Sequence, residues 1–268
     1  MASEFKSTLS ELNTLDGFRI ELDAARERAD LVLDRPPFNV IAMGEREQLA
    51  AVFAELDRDP RIRVIVIRAA GQNFSSGGDI PGFMTRSPEQ LAELARNVAA
   101  PERCHQPVIA AIRGYCFGAA FELALACDFR IVTESAELAA PEQRIGMITG
   151  SGGSVRLLKM VGVGRAKDLV MRSRRIAGRQ AHDWGIALNV VPDDQLEAAT
   201  DSLVDELRQF SPLAQRALKQ VLNRAQDAPL QVGIELEGQA YGRLRASADF
   251  AEGVASFVEK RKPKFKGE

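Results

Sequence analysis

Three observations predict an α/β fold: a mainly parallel sheet followed by a helical region. VIVIRA (64–69) is an unbroken, mostly β-branched run, as expected of a strand covered on both faces. Strand-like runs alternate with amphipathic helical ones through the first half of the chain, the pattern of a parallel sheet with helical crossovers. Beyond residue 150 the apolar periodicity becomes helical.

Residues 1–16 are polar and read as an extension. FRIELD (18–23) and RADLVLDR (28–35) follow as strand-like runs joined by a charged turn. In EREQLAAVFAELDRD (45–59), Leu49, Val52, Phe53 and Leu56 fall at i, i+3, i+4 and i+7, which predicts a helix with one buried face. After the strand at 64–69 come a Ser/Gly loop, a helical stretch near 88–100 and the strand PVIAAI (107–112). Towards the end, Leu196, Ala199, Leu203 and Leu207 share one helix face, and Ala214, Ala217, Leu218, Val221 and Leu222 share another. The expected division is an extension at 1–16, an α/β core at 17–194 and a helical appendage at 195–268.

Composition narrows the function. Lys plus Arg number 35 against 37 Asp plus Glu, a net charge of −2, so nothing global attracts nucleic acid or an anionic membrane. Cys104, Cys116 and Cys127 follow no metal-binding spacing, and their odd number argues against a disulfide framework. His105 and His182 are too few for the usual His-rich metal sites, and no metal is expected. No apolar run approaches the ~20 residues that span a bilayer, and the first 17 residues lack an apolar signal core. A reduced, cytoplasmic protein is expected.

Two glycine turns and two carboxylates carry the chemistry. NFSSGGDI (73–80) follows a buried strand, and RGYCFGAAFE (113–122) repeats its order of strand, glycine, small residues and helix start. Backbone N–H groups at such a turn lack intrahelical partners, and two turns at neighbouring strand ends can aim two donors at one oxygen. The same segments also serve as ordinary strand–helix connections, and short glycine motifs alone do not decide between the two. Glu122 sits in an apolar helical run with Gly118 and Ala126 at i±4, so nothing polar on its own helix answers it. A buried carboxylate without a partner is costly, so it must be exposed, paired or functional. Glu142 follows Pro141 and precedes the GMITGSGG turn.

The ordered set of motifs resembles the crotonase, or enoyl-CoA hydratase, superfamily from about residue 18 to the C-terminus. The landmarks are RPPFNVI (35–41), SSGGDI (75–80), PVIAAIRGYCFGAAFELALACDFRI (107–131), PEQRIGMITGSGGSVRLLKMVG (141–162), RRIAGRQAHDWGIALNVV (174–191) and EGVASFVEKRKPKFK (252–266). The resemblance implies a spiral of βαβ units with a C-terminal helical region used for oligomerisation and to cover CoA. It also implies a homotrimer or homohexamer and an acyl-CoA thioester substrate, with no cofactor, since coenzyme A belongs to the substrate. Carried over by position, the amides of Gly78 and Ala119 form the oxyanion hole, and Glu122 and Glu142 act on water. Ser76, Ile80 and Leu138 would bind substrate, Tyr241 would lie near CoA, and Lys260 would contact a phosphate of a neighbouring subunit's CoA. Retention of both glutamates favours hydration of the 2,3-double bond. Enoyl-CoA isomerisation and hydrolytic C–C cleavage of an alicyclic or aromatic acyl-CoA remain alternatives, as does a non-catalytic acyl-CoA or RNA-binding relative.

The chain departs from the family pattern in places. Gly118-Ala119-Ala120 stands for a triple glycine, Leu138-Ala139-Ala140 replaces an aromatic and an amide before Pro141, and Thr149 replaces a proline. Pro81-Gly82 falls where relatives often begin a charged helix. The alanine methyls imply a narrower approach, the change at 138–140 a reshaped, more apolar acyl pocket, and Pro81-Gly82 a mobile wall. Cys116, His182 and Trp184 are assigned no catalysis.

Overall fold

The computed structural model describes residues 16–268, so all but the last residue of the expected extension lies outside the described residues. The strands are β1 (Phe18–Asp23), β2 (Arg28–Leu33), β3 (Val64–Ala69), β4 (Val108–Ile112), β5 (Tyr115–Phe117), β6 (Phe129–Thr133), β7 (Glu137–Ala139), β8 (Arg175–Ala177) and β9 (Asn189–Val191). The helices are α1 (Met43–Arg58), α2 (Ile80–Phe83), α3 (Pro88–Val98), α4 (Ala100–Arg103), α5 (Ala119–Leu125), α6 (Gly153–Met171), α7 (Gly178–Asp183), α8 (Leu196–Leu207), α9 (Pro212–Ala225), α10 (Leu230–Leu244) and α11 (Ala248–Val258).

Six strands form one sheet in the order β1-β2-β3-β4-β6-β9, parallel except for the antiparallel β1–β2 pair. Three short strands form a second sheet, β5-β7-β8, with β5 and β7 parallel and β8 antiparallel. The strand period of two divides the core. Ile65, Ile67, Val108, Ala110 and Ile112 join Leu49, Phe53 and Leu56 of α1 on one side of the large sheet. Val64, Val66, Ile109, Ala111 and Ile131 pack on the other side against Leu196, Leu203, Val204 and Leu207 of α8. Burial on both sides explains why VIVIRA shows no polar alternation.

That second cluster corrects the expected boundary at 195. Helix α8 covers the sheet and belongs to the core, because its leucine face is the only cover for the β3–β4–β6 surface in that cluster. The appendage begins after it. In α9 the apolar face faces outward: Leu218 and Leu222 are exposed whereas Lys219 is buried. Lys219 Nζ donates to the carbonyls of Pro101 (2.7 Å) and Gln106 (2.8 Å) and pairs with Asp128 at 2.7 Å. A lysine so satisfied ties α9 to the core, which leaves its leucines facing outward.

Among the described residues no helix is long and apolar enough to cross a membrane.

Candidate active site

The site is assembled where the loop after β3 meets the end of β5. Ser75 and Cys116 form a parallel bridge: the Ser75 amide donates to Tyr115 O at 2.7 Å, and the Phe117 amide donates to Ser75 O at 3.0 Å. Counting three residues on from each bridged partner reaches Gly78 and Ala119. The preceding residues of the two turns, Gly77 and Gly118, lie in contact, and both expected donor positions line one pocket. Gly77 and Gly118 make the approach possible. Both have positive φ (107° and 53°), and a Cβ at Gly77 would lie 2.8 Å from Phe117 O. The Gly118 amide is spent on Ala139 O at 3.0 Å, whereas the amides of Gly78 and Ala119 donate to no other described residue. Ala119 opens α5, where an N–H has no intrahelical acceptor. Both free donors border a pocket of about 280 Å³.

Helix α5 carries Glu122 one turn past Gly118, and the carboxylate is almost completely buried. Its partners come from far along the chain. Oε1 accepts from the amides of Ser151 (2.6 Å) and Gly153 (3.1 Å), at the N-terminus of α6. Unpaired amides and the helix dipole make this end a receptor for negative charge. Gly152 at φ 94° forms the cap, and Thr149 Oγ1 accepts from the Ser154 amide at 2.9 Å. Thr149 thus caps α6 where the family pattern has proline. Arg156 holds the turn from behind: Nη1 donates to Ser151 O at 2.9 Å, and Nη2 pairs with Glu102 at 2.5 Å. Burial raises the Glu122 pKa above the usual carboxylate value, against the opposing pull of the Ser151 and Gly153 amides and of Arg46 and Arg156.

Glu142 lies across the pocket, and its Oε1 would be 3.1 Å from a Cβ added at Gly118. Its Oε2 is buried without a hydrogen-bond partner. Burial, reinforced by the neighbouring charge of Glu122, pushes its pKa up to about 7. The arrangement joins a carboxyl able to gain or lose a proton near neutrality, a second anchored carboxyl, and two vacant N–H donors. Such a site can polarise a carbonyl oxygen while moving a proton beside it.

A profile of the enoyl-CoA hydratase/isomerase family matches residues 28–268. The chain belongs to this family. It is 34% identical over 246 residues to a carnitinyl-CoA dehydratase of Proteus mirabilis, covering 89% of this chain and 94% of that one. A probable enoyl-CoA hydratase of Mycobacterium tuberculosis is 32% identical over 238 residues, covering 88% of this chain and 93% of that one. Among solved structures, an enoyl-CoA hydratase from Bacillus anthracis superposes with a TM-score of 0.88 at 32% identity, covering 94% of this chain and 100% of that one. An enoyl-CoA hydratase subunit from Geobacillus kaustophilus superposes with a TM-score of 0.87 at 32% identity, covering 95% of this chain and 99% of that one. The crotonase-like fold expected from the motifs is therefore the fold of this enzyme family member.

Within this hydratase/isomerase scaffold, Ser76 and Ile80 border the pocket together with Gly78, Ala119, Glu122 and Glu142. Leu138 does not, and the expected wall of Leu138, Ala139 and Ala140 is corrected. These residues are at most 2% exposed, and Leu138 and Ala140 join the main core. Leu138 is held in the centre of the small sheet, paired with Cys116 on one side and Ile176 on the other, which directs it into packing. The apolar wall is built instead by Ile80, Phe83, Leu91, Met147 and Ile148. Tyr241 borders a separate apolar pocket with Leu244, Phe250, Phe257 and Phe265, and Lys260 lies on the exposed segment after α11. Neither reaches the carboxylates within one chain. Cys116 is fully buried with its thiol pKa pushed well up by desolvation, which removes the thiolate a nucleophile needs.

The sequence reading missed Arg46. It borders the pocket and is 7% exposed, and its guanidinium lies 5.0 Å from the Phe83 ring centroid. The signal was present: Glu45 and Arg46 precede Leu49 by four and three positions, so they continue its buried stripe.

Proposed function

We propose that this family member adds water across the 2,3-double bond of an acyl-CoA thioester. The observation that carries the reading is the pairing of Glu142, with its unpartnered Oε2 and a pKa of about 7, with the vacant amides of Gly78 and Ala119 across one pocket. In the proposed reaction the thioester oxygen lies between those two amides, which stabilise the enolate that forms as water attacks C3. The two carboxyls divide the proton work: one takes a proton from water and the other supplies one to C2. Glu122, held by two amides, and Glu142, poised near neutrality, both act on that water and titrate as a coupled pair. Read in reverse, the same groups would remove water, the reaction that the name of the Proteus mirabilis relative describes for that protein.

The proposed reaction asks for no cofactor, because coenzyme A is part of the substrate. The proposal extends to a homotrimer or homohexamer, supported by the apolar side chains that α9–α11 expose: Leu218, Leu222, Tyr241, Phe257 and Val258. Loss of enoyl-thioester absorbance on mixing purified protein with a 2-enoyl-CoA tests the reaction. Unchanged absorbance across short, long and branched enoyl-CoAs would overturn it, and a rise on mixing with a 3-enoyl-CoA would establish isomerisation instead.

A further inference from the structure

Arg46 stands in the first turn of the 16-residue helix α1, where the helix dipole disfavours a cation. It is buried as well, and burial lowers its pKa. The field of nearby carboxylates and the Phe83 ring offset these penalties only in part, because no ion pair is made. Nε has no hydrogen-bond partner, and among the described residues no carboxylate lies within 4.0 Å of the guanidinium. The candidate counter-ions are engaged elsewhere or too distant. Glu45, its neighbour in sequence, is bound to Arg35, and Glu122 Oε1 is occupied by two amides. Glu142, Glu122 and Asp79 reach Arg46 only as a longer-range field.

The location narrows the chemistry of a partner. A Cβ on Gly78 would collide with Arg46 Nη2, so the guanidinium lies against the turn whose amide borders the pocket. Phe83 covers its face, and Ile80, Leu91, Met147 and Ile148 line the space beyond. Glu122 and Glu142 line the same pocket, so it does not suit the multiply charged phosphates of CoA. A planar, permanently charged fork on this wall fits one group above others, a carboxylate taken bidentately.

We propose that Arg46 receives a carboxylate carried by the acyl group, so that the preferred thioesters are mono-CoA esters of dicarboxylic acids. This rests on the acyl-CoA reading of the site and names its substrate class. Arg46 acts as a specificity residue: in the free protein its charge is unpaired, and a substrate carboxylate pairs it.

Binding measured by calorimetry tests this without turnover, using two unreactive saturated thioesters of matched length, glutaryl-CoA and valeryl-CoA. The protein should bind glutaryl-CoA about 10–100-fold more tightly, the range of one charge-assisted contact. Arg46→Gln should abolish that preference while leaving valeryl-CoA affinity within about threefold of the original, as expected for a charge that the neutral chain does not use. Arg46→Lys, which keeps the charge but not the fork, should retain part of the preference. Equal binding of the two thioesters by the unaltered protein, a comparison needing no variant to fold, overturns the proposal. So does an equal loss for both in Arg46→Gln, which would make Arg46 a support for the glutamates. Failure to hydrate any enoyl-CoA would sink the hydratase reading while the glutaryl preference still stood.

Discussion

The amide nitrogen of Ser151 lies 2.6 Å from Oε1 of Glu122, so the end of one helix holds the acid carried by another. A buried carboxylate with no partner on its own helix is thereby satisfied by backbone donors alone. Glu122→Gln keeps the acceptor oxygen for both amides but removes the charge. Its kcat on the best enoyl-CoA should fall by about 10² or more, the lower range for lost acid–base catalysis. Its melting temperature should hold or rise, since a desolvated charge is gone. Near-native turnover in this variant would remove Glu122 from the mechanism.

Arg156 supports that arrangement from outside the pocket, through Ser151 O. Arg156→Met should lower stability by about 1–3 kcal/mol, the penalty for an unsatisfied carbonyl and a broken pair with Glu102. It should also lower kcat more than it raises KM, because the Ser151 turn positions Glu122 through its amide. Steady-state kinetics beside a thermal melt check both, and an effect on stability alone would make Arg156 purely structural.

Glu142 sets a pH dependence. Its folded pKa, about 7, exceeds the 4.5 of an unperturbed glutamate, so between those values the folded state holds a proton that the unfolded state has released. Its stabilising effect is full below about pH 4.5 and is lost as the pH rises towards 7. Glu142→Gln should therefore gain in melting temperature relative to the unaltered protein as pH increases through that window. The same variant should lose the inflection near neutrality in kcat/KM against pH, along with at least about 10² of its activity. A melting difference independent of pH would contradict the raised value.

Proline tests the backbone donors, and the fold shows where. At Gly78 any side chain would strike Arg46, so loss of activity there would be ambiguous. Ala119 is the first residue of α5, a position that tolerates proline because its N–H bonds nothing in the helix. Ala119→Pro should fold and lose about 10²–10³ in kcat, the usual effect of removing one oxyanion donor. A folded variant with normal kcat would exclude that amide.

Sedimentation of the 29.3 kDa chain should show three or six copies, and Leu222→Glu with Phe257→Glu should dissociate them. Leu222 and Phe257 are 65% and 85% exposed, so charge there should not disturb the fold of the single chain. A native monomer with full activity would contradict the association.

Much of this protein was legible in its sequence because it is written in local rules. The unbroken run at 64–69 announced a strand buried on both faces, and the spacing of Leu49, Val52, Phe53 and Leu56 announced α1. Gly77 and Gly118 marked turns that only glycine makes easily, and the helical run at 119–125 placed Glu122 one turn beyond the second. Direction and partnership were decided in three dimensions. Leu138 faces the core because strands close in on both its sides, and Lys219 is buried because distant carbonyls accept its protons. The leucines of α8 cover the sheet instead of a neighbouring subunit. Glu122 finds its donors about thirty residues away, and Arg46 Nε finds no acceptor among the described residues. Periodicity reports which face of an element is buried, but the energy of a buried charge depends on what surrounds it, and folding alone brings those surroundings together.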